Sequence, residues 1–203
     1  MKFRIAVLAL SVMAVRAHAA TYTLEPNYTQ GVFRWDHLGF SHPAAQFAQG
    51  SGTLEFDAMK PTMASITVTI PLSSIASGVA DLDEHLKSED FFDVAKFPTA
   101  TFASTKVEQG MAKDGLKVSG NLTLHGVTRP VTLAVTLLKA GSNARTGVPT
   151  IGFNATATLK RSDFGLGAFV PQVGDEIRIQ MTTQAAESTA QAAYLEKQKA
   201  EKK

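Results

Sequence analysis

Between residues 22 and 183 the chain repeatedly alternates apolar and polar residues, and this period of two restricts its fold more than any other feature. In residues 66–70, for example, Ile and Val alternate with Thr. Side chains of a β-strand point to opposite faces in turn, so each such run predicts a strand with one buried face. Gly, Pro, Asn and Asp separate the runs, which predicts an antiparallel all-β domain. Comparable runs occupy residues 116–124, 131–137, 151–159 and 177–181.

The apolar positions of these runs carry more aromatic bulk than a thin two-sheet core usually needs. Alternation alone is compatible with either a sandwich or a barrel. A closed barrel of about eight strands has room for its own side chains or for one small ligand. The aromatic bulk therefore favours a closed antiparallel β-barrel of about eight strands. The aromatic residues predicted to point inward are Phe33, Trp35, Phe47, Phe56, Phe102 and Phe153.

The segment of residues 81–98 interrupts the strand pattern with charged residues and three phenylalanines. Asp81 and Glu84 have the spacing of a helix capping box, and Ser88 before two acidic residues indicates a second helix start. A helix cannot continue through Pro98. We therefore expect a helical insert near 81–95, two short helices across the barrel mouth. Adjacent helical residues point about 100° apart, so one of the pair 91–92 should enter the core while the other faces the mouth.

The two ends of the chain differ from the part between them. Residues 1–19 have a basic start, an apolar run and the small-x-small motif Ala17-His18-Ala19. The apolar run is about half the roughly 20 residues of a membrane-spanning helix, so we predict a cleaved signal peptide and export to a bacterial periplasm. Residues 20–183 form the predicted barrel domain. Residues 184–203 are a charged, Ala-rich tail that we expect to be helical or disordered.

The charge balance argues against a nucleic-acid partner. The full chain has 20 Lys and Arg against 18 Asp and Glu. Removing the predicted signal peptide removes three basic residues (Lys2, Arg4 and Arg16), which leaves 17 against 18. The sequence has no basic patch with interleaved aromatics, so no nucleic acid is expected to bind. The chain has no cysteine, which is compatible with export because a domain of this size can rely on its core.

The sequence carries no recognisable catalytic or metal-binding motif. It lacks a Gly-x-Ser-x-Gly elbow, and residues 50–52 (Gly-Ser-Gly) are not followed by the Lys of a phosphate loop. We predict no metal, no cofactor and no enzymatic activity, and a hydrolase that uses Asp36 and His37 is the least favoured alternative. The histidines beyond the predicted signal peptide do not have the tight spacing of a zinc site; they are His37, His42, His85 and His125.

Four sequence blocks, in order, resemble the YceI-like proteins. The first is Asp36-His37-Leu38-Gly39-Phe40-Ser41, with Phe47 and the run Gly52-Thr53-Leu54-Glu55-Phe56-Asp57 after it. The second is Asp83-x-His85-Leu86-Lys87-Ser88-x-Asp90-Phe91-Phe92-Asp93, followed by Lys96-Phe97-Pro98-x-x-Thr101-Phe102. The third is Gly120-Asn121-Leu122-Thr123-Leu124-His125-Gly126-Val127-Thr128-Arg129-Pro130-Val131, and the fourth is Lys160-Arg161-Ser162-Asp163-Phe164-Gly165-Leu166. Together the blocks extend over about residues 21–183, which makes the resemblance specific.

The resemblance implies a lipocalin-like antiparallel barrel in the periplasm that binds isoprenoid quinones, their precursors or related long-chain lipids. It implies no established catalytic residue. The chain departs from the family pattern in two places. Residues 27–29 (Asn-Tyr-Thr) lack a His-Ser pair that many members carry near the first strand, which puts a head-group contact from that strand in doubt. The Lys-rich tail after residue 183 is additional.

We therefore predict a periplasmic carrier that sequesters a polyisoprenoid, such as a quinone or its precursor, in a barrel cavity. His85 and Lys87 are the predicted polar rim. The only bound molecule expected is the isoprenoid lipid or quinone itself, as a ligand and not as a cofactor. The residues predicted to line or close the cavity are Phe33, Trp35, Phe40, Phe47, Val68, Ile70, Phe91, Phe92, Phe102 and Phe153.

A second hypothesis belongs to a different class. In it the barrel carries no transported ligand and serves as a non-catalytic stress-response or interaction module. A carrier requires a continuous apolar cavity of several hundred cubic ångströms, whereas an interaction module requires a filled interior and an exposed apolar patch. Transient contact with a membrane and a homodimer are compatible with either hypothesis.

Overall fold

The structure, a computed structural model, describes residues 19–201, so the predicted signal peptide lies outside the described residues apart from its last position. About half of the described chain is β-structure. The strands are β1 (Ala20–Leu24), β2 (Gln30–Arg34), β3 (Ala44–Phe47), β4 (Ser51–Phe56), β5 (Ser65–Pro71), β6 (Thr99–Gln109), β7 (Gly115–Leu124), β8 (Val127–Ser142), β9 (Pro149–Lys160) and β10 (Glu176–Glu187). The helices are α1 (Ala80–Lys87) and α2 (Ser188–Glu201).

The strands close into an antiparallel barrel, as the sequence predicts. Neighbouring strands follow the order β1, β4, β5, β6, β7, β8, β9 and β10, and β10 pairs back with β1. The strand β2 extends the line of β1 beyond a short turn at Pro26–Tyr28, since both pair with β10 on the same edge. In the same way β3 extends β4 and pairs with β2. The barrel therefore has eight strand positions, two of them occupied by broken strands.

The hairpin between β7 and β8 shows how local sequence sets the register. The connection is the two-residue turn His125-Gly126, with φ values of 51° and 74°. Positive φ at both central residues is the geometry that matches the right-handed twist of a strand pair. Glycine adopts such values without strain. The register of this hairpin is therefore set by two residues that are adjacent in the sequence.

The insert between β5 and β6 contains one helix and not the two that were predicted. α1 ends at Lys87, and the carbonyl of the capping residue Ser88 accepts hydrogen bonds from the N–H groups of Phe91 and Asp93 at 3.2 and 2.8 Å. Asp93 has a left-handed φ of 44°, which stops a helix, and successive turns continue to residue 97. The predicted capping box is also wrong, because Val79 occupies the capping position. The carboxylate of Asp83 instead accepts hydrogen bonds from Ser77.

The C-terminal segment continues the barrel before it becomes helical. β10 runs past residue 183 to Glu187, and Ala185 and Ala186 are fully buried. The Glu187 carboxylate then accepts hydrogen bonds from the N–H groups of Thr189 and Ala190, which lowers the pKa of Glu187 and begins α2. In the described part of the chain, no helix is both long and apolar enough to cross a membrane.

Candidate ligand-binding cavity

The barrel is hollow on the side where the insert crosses it. A cavity of about 580 Å³ occupies this half, within the range of natural ligand pockets. Inward-facing residues of the strands supply its walls, because every second residue of a barrel strand points inside. Strand β9 illustrates this, with Ala157 and Leu159 in the wall. The walls are therefore apolar through most of their depth.

The mouth of this cavity lies between two loops and the insert. Leu38, in the loop after β2, and Phe169, in the loop before β10, line the cavity and are 50% and 58% exposed. The two loops are joined where the Leu38 N–H donates to the Gln172 carbonyl at 3.2 Å. His85 of α1 completes the rim and is exposed. The large aliphatic and aromatic groups at the opening thus touch both solvent and the cavity.

Aromatic contacts of Phe91 and Phe92 place the insert over the barrel. Phe92 packs edge-on against Phe33 of β2, with ring centroids 5.9 Å apart. Phe91 points the other way and packs against His85 at 4.8 Å and Phe169 at 6.2 Å. The neighbouring side chains therefore separate, one into the core and one at the rim, as the sequence predicts. Leu86 of α1 is buried beneath the insert.

One charged side chain lies in the cavity wall. Arg161 follows the last residue of β9 and is only 6% exposed. Its guanidinium donates to the carbonyls of Gly174 at 2.9 Å, Val173 at 2.8 Å and Leu166. These bonds hold the loop that carries Phe169 and use three of the five N–H groups of an arginine. Burial lowers the pKa of Arg161, an effect that Asp175 partly opposes.

Most of the residues predicted to line or close the cavity meet in its wall. Phe40 does not, because it lies in the tight turn after β2 and is 91% exposed. Phe153 points inward but lies deeper in the barrel, where it packs against Phe56. Lys87 lies in the last turn of α1, outside the wall, while His85 is at the rim. The predicted residues that share the cavity wall are Phe33, Trp35, Phe47, Val68, Ile70, Phe91, Phe92 and Phe102.

The residues of the site that were not predicted include Arg161, Leu38 and Phe169. For Arg161 a signal existed, since the two-residue period of β9 continues through Ala157 and Leu159 to position 161. Leu38 and Phe169 belong to loops and have left-handed φ values of 59° and 61°. The alternation of a strand carries no information about such positions.

A second, smaller cavity lies deeper in the barrel. Its volume is about 110 Å³, and its walls include Leu24, Phe56, Ala155 and Phe153. Around it the inward residues meet one another, as in the contact of Phe56 with Phe153 at 5.8 Å. The inside of the barrel is thus a wide chamber at the mouth and a narrow one at the far end.

The residues of the least favoured hypothesis, the hydrolase, lie at the surface. The Asp36 carboxylate lies 3.7 Å from His42 Nε2 and accepts a hydrogen bond from the N–H of Gly39. His37 is exposed and pairs through its backbone with Ser41 and Val173. Among residues 19–201, no three His, Asp or Glu side chains converge as metal ligands would.

A family model described as a YceI-like domain matches residues 22–185. The chain belongs to the YceI-like family. It is similar to a UPF0312 protein of Pseudomonas savastanoi pv. phaseolicola, with 38% identity over 82% of this chain and 88% of the relative. A UPF0312 protein of Shewanella putrefaciens is 37% identical over 79% and 85% of the two chains. The match confirms the resemblance drawn from the four sequence blocks.

Solved YceI-like barrels share the fold. Burkholderia cenocepacia BcnA superposes with a TM-score of 0.68 at 24% identity, over 77% of this chain and 95% of BcnA. The YCEI protein of Campylobacter jejuni gives 0.66 at 27% identity, over 75% and 90%. A polyisoprenoid binding domain from Saccharophagus degradans gives 0.61 at 18% identity, over 84% and 99%. The predicted barrel class is thereby confirmed.

Proposed function

We propose that this YceI-like protein is a non-catalytic carrier that holds a polyisoprenoid or similar long-chain lipid inside its barrel. The observation that carries the proposal is the apolar cavity of about 580 Å³. Each methylene group moved from water into such a cavity contributes about 0.8 kcal/mol, so a hydrocarbon chain can bind without a strong polar contact. The polyisoprenoid binding domain from Saccharophagus degradans, which has the same fold, supports this ligand class.

The ligand is oriented with its polar head at the mouth. The polar residues of the cavity wall are His37, His85, Arg161 and Gln172, and they all lie on the loops, the insert or the strand end at the rim. The guanidinium of Arg161, the one charged group of this wall, is the proposed contact for a quinone oxygen or a phosphate. Deeper in the barrel the wall offers only apolar groups to the chain.

Exchange of the ligand occurs at a membrane surface, with the mouth facing the lipid. Leu38, Phe40 and Phe169 are large apolar groups that project from the loops of the mouth. The periplasm is the proposed compartment, which the sequence of residues 1–19 supports. Leu38→Ser and Phe40→Ser are expected to reduce lipid uptake from vesicles. Met111→Ser, at a fully exposed position on the hairpin between β6 and β7, is the matched control and should leave uptake unchanged.

The first test is native mass spectrometry of protein isolated from its own host, followed by organic extraction. A bound prenyl or long-chain species of defined mass is the expected result. A ligand-free mass, together with no uptake from a mixture of quinones, would favour the interaction module instead.

Replacement of Phe92 by Asp tests the cavity directly. Phe92→Asp should abolish lipid retention, because it places a charge in the apolar wall beside Phe33. Leu138→Asp introduces the same charge at an exposed position, and its lipid retention should equal that of the unmodified protein. Circular dichroism of both variants verifies that they are folded. Unchanged retention in a folded Phe92→Asp protein would remove Phe92 from the site.

A further inference from the structure

The two chambers of the barrel are separated by side chains that line both of them. These residues come from five different strands around the barrel, so together they form a floor beneath the upper chamber. The residues of the floor are Phe47 of β3, Val68 and Ile70 of β5, Phe102 of β6, Leu133 of β8 and Met181 of β10.

Two glycines give the aromatic rings of the floor their positions. A Cβ atom at Gly31 would collide with the ring of Phe47 and would lie 2.9 Å from Met181 Cγ. A Cβ atom at Gly120 would collide with the ring of Phe102. Both glycines lie in strands and have ordinary backbone conformations. Their role is to leave space for the rings, because they have no Cβ atom. The rings lie against these bare strand positions, at the level where the two chambers meet.

The volume of the lower chamber matches one additional five-carbon unit of a prenyl chain. An apolar cavity of about 150 Å³ accommodates benzene. On that scale, 110 Å³ holds roughly one branched five-carbon unit. The chamber is lined mainly by apolar side chains and lies in line with the upper one, beneath the end of the cavity farthest from the mouth.

We propose that this floor sets the maximum chain length of the bound lipid, with Met181 as the residue that gives access to the lower chamber. The inference rests on the proposed function, since it assumes that a chain enters from the mouth. Met181 is the unbranched, flexible member of the floor, and such a side chain adapts readily to its neighbours. It pairs with Ala155 of β9, a small residue in the wall of the lower chamber.

Binding of prenyl alcohols that increase by five carbons tests this inference. Affinity of the unmodified protein should rise with length until the upper chamber is filled, and then stop rising. Each buried methylene group strengthens binding by about fourfold. Met181→Ala should therefore move the plateau to a chain one unit longer and strengthen binding of that chain by about tenfold or more. Shorter chains should bind both proteins equally.

Two alanines of β9 supply a matched pair of controls, because they lie on either side of the floor. Ala157 lines the upper chamber and Ala155 the lower one. Ala157→Leu should weaken binding of every chain, whereas Ala155→Leu should leave the unmodified profile intact. Combined with Met181→Ala, Ala155→Leu should cancel the gain for the longer chain. If Met181→Ala does not fold, Val68→Ala makes a smaller opening in the same floor and should give a smaller shift.

The possible results separate this inference from the proposed function. If the unmodified protein binds prenyl alcohols and folded Met181→Ala and Val68→Ala retain its length limit, the floor does not set chain length. If Ala155→Leu weakens all chains as strongly as Ala157→Leu, the lower chamber is already in use and the inference fails. If the unmodified protein binds no chain of any length, the proposed function is overturned, and the inference falls with it.

Discussion

The two halves of the barrel interior are built from the same strands but differ in how completely side chains fill them. At the far end, inward residues such as Ile151 and Ala185, which pair on neighbouring strands, are fully buried in a cluster that also includes Leu24. At the mouth, inward residues such as Ile179 face a cavity of about 580 Å³. A side chain that borders a void lacks packing contacts on that side. The comparison teaches that the far half is mostly filled by its own side chains, whereas the mouth half keeps space between well-packed walls.

The largest effect should come from truncating one isoleucine in each half. Ile151 is completely buried, so Ile151→Ala leaves a new void and should lower the free energy of unfolding by about 2–5 kcal/mol. Ile179 already borders an empty space, so Ile179→Ala should cost only about 1–2 kcal/mol. Denaturant titration measures both values. Equal losses in the two variants would contradict the division of roles between the halves.

A single methyl group added at the boundary between the halves should lower the stability of the protein. Gly31→Ala presses on Phe47, Met181 and the Gln180 carbonyl oxygen, and should cost about 1–3 kcal/mol of unfolding free energy. Gly141 is also a strand glycine, in β8, but a Cβ atom there meets nothing within 4 Å. Gly141→Ala should therefore change stability by less than about 0.5 kcal/mol. A strong loss in both variants would point to a backbone effect unrelated to the floor.

The smallest effect on stability should come from the hydrogen bonds between Asp83 and Ser77, which attach the insert at the mouth. The Ser77 hydroxyl and N–H donate to the Asp83 carboxylate at 2.6 and 2.5 Å, and these bonds lower the pKa of Asp83. A carboxylate with a lowered pKa contributes stability above its unfolded value of 3.8, and that contribution is lost as the pH falls through the folded value. The loss should therefore occur in acid, below about pH 4.

Thermal melting between about pH 6 and pH 2.5 measures this contribution. The difference in melting temperature between the unmodified protein and Asp83→Asn should be largest at the upper end and should vanish at the lower end. Glu108, Asp175 and Glu187 also have lowered pKa values, but they are common to both proteins and cancel in the difference. Asp81→Asn, in the first turn of the same helix, is the control. A constant difference across the range would contradict the role of Asp83.

The fold was predictable because strand alternation is a local signal that every strand repeats. The pair Phe91 and Phe92 was predictable for a related reason, since adjacent side chains in a turn of chain must diverge. The absence of a second helix was not predictable, because the sequence pattern does not indicate the left-handed conformation of Asp93.

The site was predictable in its inward residues but not in their depth. Alternation places Phe153 on the inner face, yet its height in the barrel follows from its pairing with Thr183 of β10 and Leu137 of β8. Such pairings join residues far apart in the sequence. The exposed position of Phe40 has a different cause, because strand parity ends with the strand and a tight turn follows.

Strand β10 has a consequence for how the chain is made. It pairs with β9 on one edge and with β1 and β2 on the other, so the barrel cannot close before the last strand has been synthesised. Contacts between chain ends so far apart form slowly, and a nascent chain that lacks β10 exposes two open strand edges. If the chain is exported unfolded, as the proposed periplasmic location implies, the barrel closes only after almost all of the chain has been delivered. The pairing of β10 therefore determines when the barrel can complete its folding.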